Sequence, residues 1–127
     1  MAIALLFTIA TPAQATATEG SCPQWHALMR RHGLPVPIFT KLAWRESRCQ
    51  AGVVSDVRKS TGRPDVGLWQ IQGSWSTLTM RTCKVPRNKV IKALRNPECN
   101  AKVAAVLWDN GKGASNWRVN SGKKETK

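Results

Sequence analysis

The chain has 127 residues, with 20 Lys plus Arg against seven Asp plus Glu and a formal net charge of +13. That length supports one modest hydrophobic core and excludes two. The charge points to a polyanion or an anionic surface as partner, and no segment approaches the roughly 20 consecutive apolar residues needed to span a bilayer.

The first 17 residues read as a signal peptide. An uncharged apolar run from Ala2 to Ala10 is followed by Thr11-Pro12-Ala13-Gln14-Ala15, the small-x-small pattern of a secretory cleavage site. The mature product is therefore expected to be soluble and secreted, periplasmic or wall-associated. In an exported chain of this size, four cysteines favour two disulfides over a metal site. No Cys-x-x-Cys pair is present, and His26 and His32 lie close to each other but far from most cysteines, so no metal and no cofactor are expected. Cys22 with Cys49 and Cys83 with Cys99 is the preferred pairing, because each bridge joins the starts or ends of successive helical segments; each closed loop contributes roughly 3 kcal/mol. Nucleic acid is the usual partner of so basic a chain, but an exported disulfide protein is expected to meet cell-wall polymers or anionic headgroups instead, as a monomer.

Ser21 to Gly33 reads as a short helix with Ser21 as cap, Pro23 in the first turn and Gly33 as the stop. Trp25, Leu28 and Met29 form its apolar stripe, which leaves His26 and His32 as surface residues without a role. Leu34-Pro35-Val36-Pro37 breaks the helix. A second helix is expected from Ile38 to Cys49. Phe39, Leu42, Ala43 and Glu46 share one of its faces, which makes Glu46 a core-facing carboxylate. Apolar neighbours favour the protonated form of such a group, and Arg45 or Arg48, on approach, the charged one. A glutamate kept protonated near neutrality is a general acid.

Gln50 to Pro64 is rich in Gly, Ser, Asp, Thr and Arg, as befits a loop or a pair of short strands walling a cleft beside Glu46. The next stretch, Asp65-Val66-Gly67-Leu68-Trp69-Gln70-Ile71-Gln72-Gly73-Ser74-Trp75, holds two of the six tryptophans, too many aromatic and amide groups for a plain turn. Gly67 permits close backbone approach, Gln70 both donates and accepts, Trp69 is expected in the core, and Trp75 offers the flat face on which a sugar ring stacks. This is the chemistry of a carbohydrate site.

The pattern then turns helical again. Val90, Ile91 and Leu94 line one side of a segment from Arg87 to Arg95, and seven cations but only Glu98 as an acid lie between Arg81 and Lys102, which reads as a solvated basic face or, functionally, as an electrostatic contact with an anionic wall. Asn96 and Pro97 cap and start a last long helix, on which Ala101, Ala104, Ala105 and Trp108 recur at helical spacing and which Asn110-Gly111 ends. Trp117 is expected to fold back as a core plug, ahead of a disordered basic tail at 119–127.

Arg45-Glu46-Ser47 followed by Gly67-Leu68-Trp69-Gln70-Ile71 resembles the Glu-Ser and Gly-Leu-x-Gln-Ile motifs of the lysozyme-like superfamily, specifically the soluble lytic transglycosylase domain. The resemblance implies a mainly α, lysozyme-like α+β fold over 21–118, a helical bundle with a small irregular or β lobe forming a glycan cleft. It implies that Glu46 protonates the oxygen of the β-1,4 bond between N-acetylmuramic acid and N-acetylglucosamine in peptidoglycan, then acts as base on the muramyl 6-hydroxyl to close a 1,6-anhydro ring. Ser47, Gly67, Leu68, Gln70 and Trp75 are the candidate substrate contacts.

Asp65, two positions before Gly67, is similarly placed to the aspartate of animal-type lysozymes, which would make it the second carboxylate of a retaining hydrolase. Many transglycosylase domains also carry a late tyrosine whose hydroxyl bonds the catalytic glutamate. This chain has no tyrosine; Trp108, the nearest counterpart, would pack on Glu46 without that hydrogen bond. Three readings follow: a peptidoglycan lytic transglycosylase, a hydrolase using Glu46 and Asp65, and a non-catalytic cationic module that binds wall polymers or membranes.

Overall fold

A computed structural model describes residues 19–118; the expected signal peptide and basic tail lie outside them. Five helices surround one core, with a two-stranded hairpin on one side. Pro23–Trp25 form a 3-10 turn that runs into α1 (His26–Arg31). Ser21 does not cap this start. Its hydroxyl lies 3.1 Å from Thr40 Oγ1 on the next helix, and Thr40 also accepts from the Cys22 amide at 2.7 Å.

The second helix, α2 (Val36–Ser47), begins two residues before the expected Ile38. Pro37 falls in its first turn, where a missing N–H leaves nothing unsatisfied, and Pro35 precedes it in the extended conformation. Phe39, Leu42 and Ala43 are buried as their spacing requires. Two left-handed residues, Arg48 at φ 52° and Cys49 at φ 66°, end the helix, a conformation that costs about 1 kcal/mol per non-glycine residue. The disulfide from Cys49 to Cys22 and the 2.8 Å bond from Trp25 Nε1 to the Cys49 carbonyl hold that turn in place.

Residues 50–64 form an irregular loop, joined to the sheet through a bridge between Val54 and Val66. Strands β1 (Asp65–Val66) and β2 (Ile71–Gln72) pair antiparallel, Asp65 opposite Gln72 and Val66 opposite Ile71. The tight connection needs Gly67. Its φ is +82°, and a Cβ there would meet Asn100 Nδ2 at 2.2 Å and the Leu94 carbonyl at 2.4 Å.

Three helices follow: α3 (Ser76–Cys83), α4 (Val90–Leu94) and α5 (Pro97–Trp108). The segment expected as one helix from Arg87 to Arg95 is divided, with Arg87–Lys89 forming a 3-10 turn behind the extended Pro86. Asn96 caps α5 by accepting from the amides of Glu98 and Cys99, and the helix ends at Trp108 with Asp109 and Asn110 left-handed. The Cys83–Cys99 disulfide staples α3 to the start of α5, so both expected bridges are present. Among the described residues no helix is long and apolar enough to cross a membrane.

Three tryptophans surround Phe39 at the centre of the core. Trp69, Trp108 and Trp117 meet its ring edge to face, with centroids 5.7, 5.2 and 5.3 Å away, pairs that add about 1 kcal/mol each beyond area burial. Trp69 Nε1 donates to the Phe39 carbonyl and Trp117 Nε1 to the Trp69 carbonyl, both at 2.9 Å. Trp117 is thus the plug its position suggested, carried by a closing 3-10 turn at Ala114–Trp117.

The histidines are not bare surface residues. His26 Nε2 hydrogen-bonds Thr40 Oγ1 at 2.9 Å, and His32, its side chain 15% exposed, bonds Glu98 at 2.6 Å. Arg31 bonds the same carboxylate, so the end of α1 is tied to the start of α5.

Candidate active site

A cleft of ≈ 580 Å³ opens between the end of α2, the hairpin and the C-terminal turn. Glu46 reaches it because α2 places the carboxylate one turn beyond the buried Leu42 and Ala43, where the helix leaves the core. The expected core-facing glutamate is therefore a rim residue, its side chain 28% exposed.

Arg45 approaches the carboxylate and Arg48 does not. Arg45 Nε and Nη2 meet Glu46 Oε1 at 2.9 and 2.8 Å, whereas the Arg48 guanidinium lies 4.9 Å from the Trp44 ring centroid, a cation–π contact. Arg45 also donates to the Trp117 carbonyl. Oε2 of Glu46 has no hydrogen-bond partner among the described residues.

Asp65 lines the same cleft but is engaged on both oxygens. Arg58 Nε bonds Oδ1 and Oδ2 at 2.9 Å, and Nη2 bonds Oδ2 at 2.7 Å. These bonds and the negative charge of Asp65, with a smaller contribution from Glu46, raise the Arg58 pKa above its ordinary value. The Asp65 backbone is tied down as well, its amide donating to Ser55 Oγ and its carbonyl accepting from the Ser55 amide.

Of the candidate substrate contacts, Gln70 and Trp75 line the cleft. Gln70, at φ 47°, donates through Nε2 to the carbonyls of Val53 and Gly67, which commits its amide protons and leaves Oε1 as acceptor. Trp75 is 40% exposed and Trp69 fully buried, the division expected of them. Ser47, Gly67 and Leu68 are not brought to the cleft. The Ser47 hydroxyl donates to the Ala43 carbonyl inside its own helix, Leu68 is fully buried, and Gly67 packs against Asn100. Trp108 packs edge to face on Phe39 and is not among the residues that line the cleft.

Motif reading missed three contributors. Asn100, fully buried, donates to the carbonyls of Val66 and Leu94 and accepts from the Trp69 amide, so one side chain holds the hairpin on α4 and α5. Only its place amid the alanines of the last helix hinted at this. Arg58 comes from a loop without periodicity, and Arg118 reaches the cleft from the far end of the chain; neither carries a sequence signal. No group of three or more His, Cys, Asp or Glu side chains among the described residues could hold a metal ion.

The family model described as a lysozyme-like domain matches residues 30–119. The chain belongs to the lysozyme-like domain family. Neither a curated protein nor a solved structure matches it. The lysozyme-like match runs from the end of α1 through the closing turn, so it takes in every residue that lines the cleft. It agrees with the mainly helical fold and its small hairpin, and it makes peptidoglycan glycan strands the substrate class that the family suggests.

Proposed function

We propose that the protein is an exported lytic transglycosylase that cleaves the β-1,4 bond between N-acetylmuramic acid and N-acetylglucosamine. One observation carries this reading: of the two carboxylates in the cleft, Glu46 keeps one oxygen without a hydrogen-bond partner among the described residues, while Arg58 occupies both oxygens of Asp65. A retaining hydrolase needs a second carboxylate ready to meet the sugar cation. A transglycosylase needs only one.

In the proposed cycle protonated Glu46 gives its proton to the glycosidic oxygen, the C1–O bond breaks and an oxocarbenium-like centre develops at C1 of the muramyl unit. The resulting carboxylate takes the proton of the muramyl 6-hydroxyl, whose oxygen closes on C1. Glu46 is protonated again, no water is consumed, and the strand carries a 1,6-anhydro end. Gln70 Oε1 suits an acetamido N–H, and the exposed face of Trp75 suits a pyranose ring. The two disulfides fit an oxidising compartment, in keeping with residues 1–17 as an export signal.

Digestion of purified peptidoglycan, followed by mass analysis of the fragments, tests the reading. Anhydro-muramyl ends, lost in Glu46→Gln, are the expected product. Reducing ends would assign a hydrolase with Asp65 engaged. Intact glycan from the wild-type protein would overturn the enzyme and leave a cationic wall-binding module.

A further inference from the structure

Side chains at adjacent helical positions point about 100° apart and do not ordinarily meet. Arg45 nevertheless turns back onto its neighbour Glu46, with both Nε and Nη2 on the same oxygen. One contact that holds it there lies outside the helix: the carbonyl of Trp117, which accepts from Arg45 Nη2. Trp117 is itself immobilised, 5% exposed, its ring edge-on to Phe39 and its indole N–H on the Trp69 carbonyl. Phe39 sits on α2, the helix that carries Glu46. The contacts close a ring, from α2 through Phe39, Trp117 and Arg45 back to Glu46 on α2.

We propose that Arg45 is a positioning residue that fixes the Glu46 carboxylate from the C-terminal turn, keeping Oε1 engaged and presenting Oε2 to substrate. The proposal rests on Glu46 being the proton donor. It gives the turn Ala114–Trp117 a second task, since the carbonyl that anchors Arg45 belongs to the residue whose ring fills the core. Arg58 provides the contrast: it stands on the irregular loop, its side chain is 46% exposed, and it covers both oxygens of its carboxylate. A guanidinium that grips one oxygen orients a carboxylate for chemistry; one that grips both withdraws it.

The test is steady-state turnover of soluble glycan oligomers by the full-length chain. Arg45→Ala should lower kcat by about 10- to 100-fold with KM within about threefold, because a misdirected acid slows the chemical step and leaves binding intact. Added guanidinium ion, well below denaturing concentrations, should recover part of the lost rate. Arg45→Lys should fall between the two, since an ammonium point charge cannot reproduce the fork that reaches Glu46 and Trp117 together. It keeps the charge and provides the measurement should the alanine variant not fold. A kcat within twofold of wild type in the variants, with Glu46→Gln inactive, overturns the positioning role and leaves the proposed function standing. A loss that guanidinium does not relieve and that Arg45→Lys shares in full also overturns it, because the role would then be structural. A wild-type protein that turns over no glycan defeats the proposed function itself.

Discussion

The cleft and the α3–α5 side of the molecule handle charge in opposite ways. In the cleft both carboxylates meet an arginine, Glu46 with Arg45 and Asp65 with Arg58. Across α3 to α5 all seven cations from Arg81 to Lys102 are exposed and none lies within ion-pair distance of a carboxylate among the described residues; Glu98, the one acid there, is taken by Arg31 at the end of α1 and by His32 just beyond it. Paired charges a few ångströms apart fix the direction of a side chain, whereas unpaired ones create a long-range field that salt screens. The first arrangement suits the orientation of one bond-making group, and the second suits contact with a polyanionic surface.

The largest effect should come from Glu46→Gln. Loss of the proposed general acid is expected to cut glycan cleavage by about 10² to 10⁴, while retention on insoluble wall, expected to depend on the cations, stays unchanged. If both fell together the division between the two regions would be false.

Gly67→Ala comes next, because Gly67 and Asn100 join the hairpin to the helices of the basic side. The new methyl group meets Asn100 and the Leu94 carbonyl in a left-handed backbone, at an expected cost of about 3 kcal/mol. For a domain of this size that lowers Tm by about 15 °C, measurable by scanning calorimetry. An unchanged Tm would mean that the hairpin is not locked to α4 and α5 as described.

Arg58→Gln should cost about 1–2 kcal/mol, since it leaves the carboxylate of Asp65, 8% exposed, without its cationic partner. Its product pattern is the sharper measurement. If Asp65 is a structural acid, the ends formed remain anhydro-muramyl; a shift to reducing ends would show that Arg58 had been restraining a second catalytic carboxylate.

On the basic side, replacing Lys84, Lys89, Lys92 and Lys102 together by Gln should weaken retention on anionic wall several-fold at low salt and flatten its salt dependence. Cleavage of short soluble glycans should be unchanged. Reduced cleavage of the short substrates would show that the field also steers glycan into the cleft.

Much of this arrangement was legible in the chain and part of it was not, for reasons that follow from range. The stripe Phe39, Leu42, Ala43 is a local signal, and it placed α2; Gly67 was legible as a point of close backbone approach, but the strands on either side of it were not, since any short strands were expected within 50–64. Cys22, Cys49, Cys83 and Cys99 were legible because their pairing follows helix order. Helical periodicity also put Glu46 on the core face, but it cannot say how far along that face the core extends, and Glu46 lies where it ends. Ser47 looked like a site residue by adjacency to Glu46, yet its hydroxyl finds a nearer acceptor one turn back in Ala43. The links from Arg45 to Trp117 and from Arg58 to Asp65 depend on where a closing turn and an irregular loop come to rest, which no spacing encodes.

The smallest expected effect lies where the basic side is tied to α1. His32 first and Arg31 second hold the Glu98 carboxyl below its ordinary value of 4.5, so the folded chain releases that proton more readily than the unfolded chain. Stability from this group is complete above the ordinary carboxylate range and is lost as pH falls through the lowered value of the folded state. Glu98 is half exposed, and water screens much of the interaction. Denaturant midpoints between pH 5 and pH 3 should therefore fall slightly more in the wild-type chain than in Glu98→Gln. Curves that stay parallel down to pH 3 would show that the α1–α5 tie is purely geometric, and that the one acid among the seven cations contributes nothing through its charge.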